Sequence, residues 1–224
     1  MERIIAKAED KPELEKEIYF ICPVRGMTKQ DKQFIEEYVA RTEAGGRGIY
    51  SPPRDTKQDD PIELNICMQN RKGTADAKET HMYFSSTSQG NVFDPGMAFM
   101  ADKPLLVLNP ESLNGNIEGV MADFAGFVNN YAYNTPMDKA LSFYQELERR
   151  KKEISKMKMV EFEWEANDAP FLFDCGMAFM AEKLIKLSNW KNVEPTDHKS
   201  FQNILLSLYY KARDGKTKKV TELF

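Results

Sequence analysis

The stretch FDPGMAFMADK at positions 93–103 returns eighty positions later as FDCGMAFMAEK at 173–183, with nine of its eleven residues unchanged. A chain that writes the same turn and apolar helix twice has to pack two copies of one structural unit, which narrows its folds more than any bulk property does. Each copy lies between two β-rich runs: THMYF (80–84) and KPLLVLN (103–109) flank the first, MVEFEW (159–164) and LIKLS (184–188) the second. The repeat therefore reads as strand, turn, helix, strand. Strands alternating with helices are the pattern of a parallel sheet covered on both faces. The expectation is an α/β chain: a flavodoxin- or Rossmann-like, doubly wound, mostly parallel sheet, extended at one edge by the duplicated βα unit.

The other elements follow from periodicity and punctuation. EIYFICPV (17–24) is a short apolar strand ended by Pro23. Phe34, Ile35, Tyr38 and Val39 recur at helical spacing between Thr28, an expected N-cap, and the stop Gly45–Gly46. RGIYSPPRD (47–55) reads as a second strand running into a Pro-rich loop, and Ile62, Ile66 and Cys67 mark a helix from Pro61 to near Lys72. Further helices are expected near 116–131, 136–156 and 198–213. Residues 1–135 form the expected α/β core and 136–224 an extension that carries the second copy. No low-complexity linker separates them, so one continuous sheet is expected rather than two independent domains.

With 224 residues the chain can bury a sizeable core. A net charge of −4 provides no basic stripe for a nucleic-acid polymer. No apolar run reaches the length of a membrane span, and the first twenty residues lack a signal-peptide pattern. Three scattered cysteines (Cys22, Cys67, Cys175) and two histidines (His81, His198) are too few for a zinc site. The expectation is a reduced, cytoplasmic chain without metal or cofactor, its cysteines serving as small core residues and His81 satisfied within its strand. A small anionic ligand remains compatible, because backbone dipoles hold anions without a basic surface.

In open parallel sheets, ligands bind beyond the carboxyl ends of the strands. At those ends the chain places CPVRGM, SPPRDTKQDD, SSTSQGNVFD and NPESLNG. Arg25, Arg54 and Ser88–Gly90, at three adjacent ends, point to an anion pocket. Gly90 permits a tight turn, Ser86 and Ser88 are hydroxyl donors, Asn91 adjoins them, and the helix that follows presents free amides. Asp94 has two readings. Asp followed by Pro is a standard N-cap with proline at the first helical position; a carboxylate there can equally be aimed at an electrophilic sugar carbon. The residues alone leave both open.

At these positions the chain resembles the nucleoside 2-deoxyribosyltransferase superfamily, which includes the 2'-deoxynucleoside 5'-phosphate N-hydrolases. IYFICPVRGM is similar to the hydrolase branch's opening strand and phosphate loop, with Pro23, Val24, Arg25 and Gly26 in the loop places. SQGNVFDPGMAF is similar to the family's Ser/Asp-x-Gly signature with its catalytic carboxylate. The resemblance covers residues 17–109. It implies that Asp94 is the nucleophile, one methylene shorter than the family's glutamate, and that Ser88 and Arg25 meet a phosphate. Asn70 falls where the family carries an Asp on its second helix, and Ala77–Lys78 where it carries Ala-Asp. With Asn70 unable to supply a proton, Asp55, Asp59 or Asp76 would have to. Gln58, with Arg54 and Asp55 beside it, is the expected contact to the base.

The implied chemistry is a two-step displacement: a carboxylate takes the sugar from one base and passes it to a second base or to water. The alternative is a binding module that keeps the nucleotide crevice without turnover, as Asn70 hints. In the second copy Asp174 and Gly176 match Asp94 and Gly96, but Asp168 replaces Ser88 and Pro170 replaces Gly90. An acid repels phosphate and proline removes a donor, although Trp164 would be able to stack on a base. Copy two is therefore expected to be architectural. The resemblance also implies a homo-oligomer with sites completed across an interface, a place that copy two can fill within one chain.

Overall fold

The computed structural model describes residues 14–59, 64–85, 88, 90–109, 112, 137–162 and 169–187. The helices expected near 116–131 and 198–213, together with Ser86, Trp164 and Asp168, lie outside the described residues.

The apolar run after Glu15 forms β1 (Lys16–Ile21), which pairs on one side with β2 (Gly48–Tyr50) and on the other with β3 (Glu79–Met82). Then β4 (Leu105–Val107) adds beyond β3, giving a four-stranded parallel sheet in the order β2-β1-β3-β4. A central parallel strand is covered on both faces, which is why β1 shows no polar alternation. Its Ile18 and Phe20 pack with Ile49 and with Ile35 and Val39 of α1 (Lys29–Ala44). Tyr19 and Ile21 enter a second cluster with residues of α3 (Leu64–Asp76) and α4 (Gly90–Met100).

The boundaries of α1 follow local chemistry. Thr28 and Asp31 form a reciprocal capping box, Gly45 closes the helix, and Gly46 takes φ +83°. The Pro-rich segment after β2 is not a loop as expected. Pro52–Asp55 makes one helical turn, α2, because proline suits the first helical position and the Asp55 carboxylate accepts from the Ser51 amide at 2.8 Å.

The second copy gives α5 (Met137–Lys156), β5 (Met159–Phe162), α6 (Ala169–Met180) and β6 (Leu184–Leu187). Among the described residues β5 and β6 pair with each other in a separate two-stranded parallel sheet, so the expected continuation of the first sheet does not occur. The physical reason is the helix contact. The apolar residues of α4 and α6, Phe93, Met97 and Phe99 with Phe173, Met177 and Phe179, share one core, so the copies meet helix to helix rather than strand to strand.

Strict repetition runs further than the undecapeptide. Val160↔Ile185 repeats the register Thr80↔Leu105, and Asp102 and Glu182 both take φ 56°. The ammonium of Lys103 caps α3 at the Ala75 carbonyl (2.9 Å), and that of Lys183 caps α5 at the Ser155 carbonyl (2.8 Å). All these pairs are offset by eighty residues, so α3 and α5 belong to the repeat despite their dissimilar sequences. The contacts between copies are reciprocal: Arg71 donates to the Met180 carbonyl and to Glu182, while Lys151 reaches the Phe99 carbonyl and Asp102. This is the isologous pattern of a two-fold dimer, built inside one chain.

Candidate functional site

The order β2-β1-β3-β4 changes direction between β1 and β3, the kind of switch point beside which open α/β sheets bind ligands. Asp94, on the helix that follows β3, packs against β1 there. Its Oδ2 accepts from the Tyr19 hydroxyl of β1 at 2.8 Å, and the residue is 7% exposed. The N-cap reading of Asp94 is overturned, since α4 begins four residues earlier at Gly90 and Pro95 lies inside the helix. A carboxyl so buried resists ionisation: desolvation raises it to about 7, with the Tyr19 hydrogen bond pulling the other way. Burial and the Asp94 charge push the Tyr19 phenol well above its ordinary range. The same two causes raise the Cys22 thiol, against a hydrogen bond with Ser51. Tyr19 and Asp94 thus pair between β1 and α4, while Cys22, one residue past β1, packs in the cluster on the α1 side and meets Ser51, one residue past β2.

A second polar chain runs beside the first. The Tyr50 ring stacks on Tyr19 with centroids 5.6 Å apart. The Thr56 hydroxyl donates to Asn70 Oδ1 at 2.9 Å, which spends its one proton, so Tyr50 donates to Thr56 at 2.8 Å. Asn70 is therefore held as an acceptor on the site's α3 side.

Other expected site residues are placed as follows. Pro23 is buried behind β1, while Arg25 and Gly26 (φ +70°) are exposed in the turn after it. Ser88 is half-buried, its amide donating to the Ser85 carbonyl and its own carbonyl accepting from Asn91; Gly90 opens α4. Asn91 is 1% exposed and donates through Nδ2 to the Tyr83 carbonyl at 3.1 Å. Arg54 is turned back on its own strand end, bonding the Ile49 carbonyl at 2.7 Å and pairing with Asp55 and Glu43. Gln58 is spent on the Pro52 and Thr56 carbonyls, both at 3.0 Å.

Burial opposes the charge on Asp55, yet Arg54, the Ser51 amide and Lys16 together hold its carboxyl below the usual range, so it has no proton to give at neutral pH. Asp76 is exposed at the end of α3 that leads into the start of β3, the opposite edge of the sheet, and pairs with Lys72. Asp59 is exposed beyond α2.

Sequence reasoning missed Tyr19, Cys22, Ser51, Tyr50 and Thr56. A signal existed for the first: a tyrosine inside a strand buried on both faces needs a partner for its hydroxyl. The second copy shows the contrast. Asp174, equivalent to Asp94, is paired with Arg150, which occupies the position equivalent to Asn70. Copy two neutralises its carboxylate with a cation; copy one keeps its carboxyl buried with a phenol.

Cys22, Cys67 and Cys175 are buried and form no disulfide among the described residues, as expected of core residues. His81 is satisfied within the sheet, with Glu79 at 2.8 Å and Tyr38 at 2.5 Å. Among the described residues no cluster of three or more His, Cys, Asp or Glu is placed to hold a metal ion, and no helix is long and apolar enough to cross a membrane.

Fold and site together define an α/β protein with a parallel sheet and a buried carboxyl–phenol pair at its switch point. No family model, no curated protein and no solved structure matches the chain.

Proposed function

We propose that the protein cleaves or transfers at the N-glycosidic bond of a nucleoside or nucleoside 5'-monophosphate, with Asp94 as nucleophile, on a flavodoxin- or Rossmann-like doubly wound fold. The observation that carries this reading is the Asp94–Tyr19 pair, a buried carboxyl anchored through one oxygen beside the sheet's switch point. Ionised Asp94, with Oδ2 steadied by the Tyr19 hydroxyl, attacks C1' through its other oxygen. The C1'–N bond breaks as the base leaves with the bonding pair, giving a glycosyl ester. Water or a second base then attacks C1' and releases the carboxylate. A carboxylate in a dry site stabilises the positive charge that develops on the sugar. The turn at Arg25 and the amides near Ser88 and Gly90 are the proposed phosphate seat. No cofactor or metal enters this scheme, and a cytoplasmic, homo-oligomeric protein remains part of the proposal.

A second reading, a nucleotide-binding module without turnover, is favoured by the state of the expected acids. Asn70 cannot donate a titratable proton, and Asp55 is locked as an anion by Arg54. One assay separates the two: chromatographic detection of free base from ribo- and deoxyribonucleosides and their 5'-monophosphates, with and without a second base, beside Asp94→Ala. Base release that disappears in the variant supports glycosyl chemistry. No release, with melting shifts for some nucleotides, supports the binding module. Neither release nor shifts would sink both readings.

A further inference from the structure

Two buried asparagines stand at the strand ends of the main sheet, and they are satisfied differently. Asn109 is fully used: its Oδ1 accepts from the Phe84 amide at 2.7 Å and its Nδ2 donates to the Phe84 carbonyl and to Ser112. Asn91 is half used. Its Nδ2 bond to the Tyr83 carbonyl fixes the amide and leaves Oδ1 directed away from that carbonyl. That Oδ1 is buried and has no hydrogen-bond partner among the described residues. A buried carbonyl oxygen without a donor is a standing cost, which an apolar side chain of similar size would avoid.

The sequence of the second copy carries an apolar residue, Phe171, at the position equivalent to Asn91. An amide at this place is therefore a feature of copy one and is not required by the repeated helix; copy two leaves a different buried acceptor, Asp174 Oδ1, unmatched. Asn91 and Asp94 are three residues apart on α4, so their side chains are neighbours, with Cβ atoms on the order of 5–6 Å apart. A pentose whose anomeric carbon lies at Asp94 carries ring hydroxyls across a gap of that size.

We propose that Asn91 Oδ1 accepts a hydrogen bond from a ring hydroxyl of the bound pentose and so determines sugar specificity; this rests on the glycosyl reading above. A ligand lacking the hydroxyl leaves the acceptor unmatched and binds about tenfold or more weakly.

The test uses the Asp94→Asn protein, in which the ligand is not turned over, and isothermal titration with 5'-monophosphates of the four common bases in ribo, 2'-deoxyribo and 2',3'-dideoxyribo forms. The expected result is a preference of at least about tenfold for a hydroxylated form over its dideoxy counterpart, erased in Asp94→Asn/Asn91→Leu. A preference that survives Asn91→Leu overturns the assignment while leaving the glycosyl reading intact. Failure of every nucleotide and of the parent nucleosides to bind the unsubstituted protein overturns the glycosyl reading and this assignment with it. Should Asn91→Leu not fold, the carbonyl carbon resonance of the Asn91 side chain decides in the Asp94→Asn protein. It is expected to move with a hydroxylated nucleotide and not with the dideoxy form; equal movement or none overturns the assignment.

Discussion

Gly96 and Gly176 face each other where α4 crosses α6: a Cβ built on Gly176 would lie 3.2 Å from the Gly96 Cα. Each glycine also lies against the carbonyl of the other copy's phenylalanine, Gly96 on Phe173 and Gly176 on Phe93, too close for any side chain. The invariance of Gly within the repeated stretch thus has a packing cause: two backbones approach where only hydrogen fits.

Gly96→Ala and Gly176→Ala are each expected to destabilise the fold by about 3 kcal/mol, because the obstructing atoms are backbone and cannot rotate away. Denaturant unfolding checks this. Gly46→Ala, at an exposed turn with φ +83° and open space around it, serves as a comparison and should cost only about 1 kcal/mol. Equal effects at all three sites would contradict the crossing described here.

Arg71→Ala and Lys151→Ala each remove one arm of the reciprocal contact between copies. Arg71 loses the Met180 carbonyl and Glu182, and Lys151 loses the Phe99 carbonyl and Asp102. Each should cost roughly 1–2 kcal/mol. The two arms share no partner, so the double variant should show the sum of the single losses.

Asp94 makes the protein less stable as pH rises. Its carboxyl titrates near 7 when folded and near its ordinary value, about 4, when unfolded. Between those values the folded state holds a proton that the unfolded state has released, so this contribution falls through that window and is fully lost above it. The span corresponds to roughly 4 kcal/mol. The difference in unfolding free energy between wild type and Asp94→Asn, measured from pH 4 to 8, should therefore grow with pH in favour of the variant. A flat difference would place Asp94 in contact with water.

Arg150→Met should leave Asp174 without its cation in a partly buried place and cost roughly 2–3 kcal/mol. Adding Asp174→Asn should return much of that loss, because the cost comes from the unpaired carboxylate rather than from losing the pair itself. Under the proposed glycosyl function, base release should persist in the double variant if copy two is architectural.

Much of the core was readable from the chain alone. The alternation of strand and helix, the Thr28 cap, the Gly45–Gly46 stop and the burial of Cys67 and Cys175 all depend on neighbours within one or two turns, where periodicity and capping act. Asp94 stands out in the sequence, but its surroundings there left a helix cap and a carboxylate aimed at a sugar carbon both open; the cap is excluded only by the start of α4 at Gly90.

What the sequence by itself determined is the repeated unit and the strand-and-helix character of each copy, because spacing and side-chain type act locally. Only the tertiary structure decided how the copies meet, which partner each carboxyl finds, and which polar atom is left unmatched. Tyr19 and Asp94 are 75 positions apart, and Arg71 and Glu182 are 111 apart. No local preference carries over such distances; two glycines that let helices touch, and the sheet that brings β1 under α4, do.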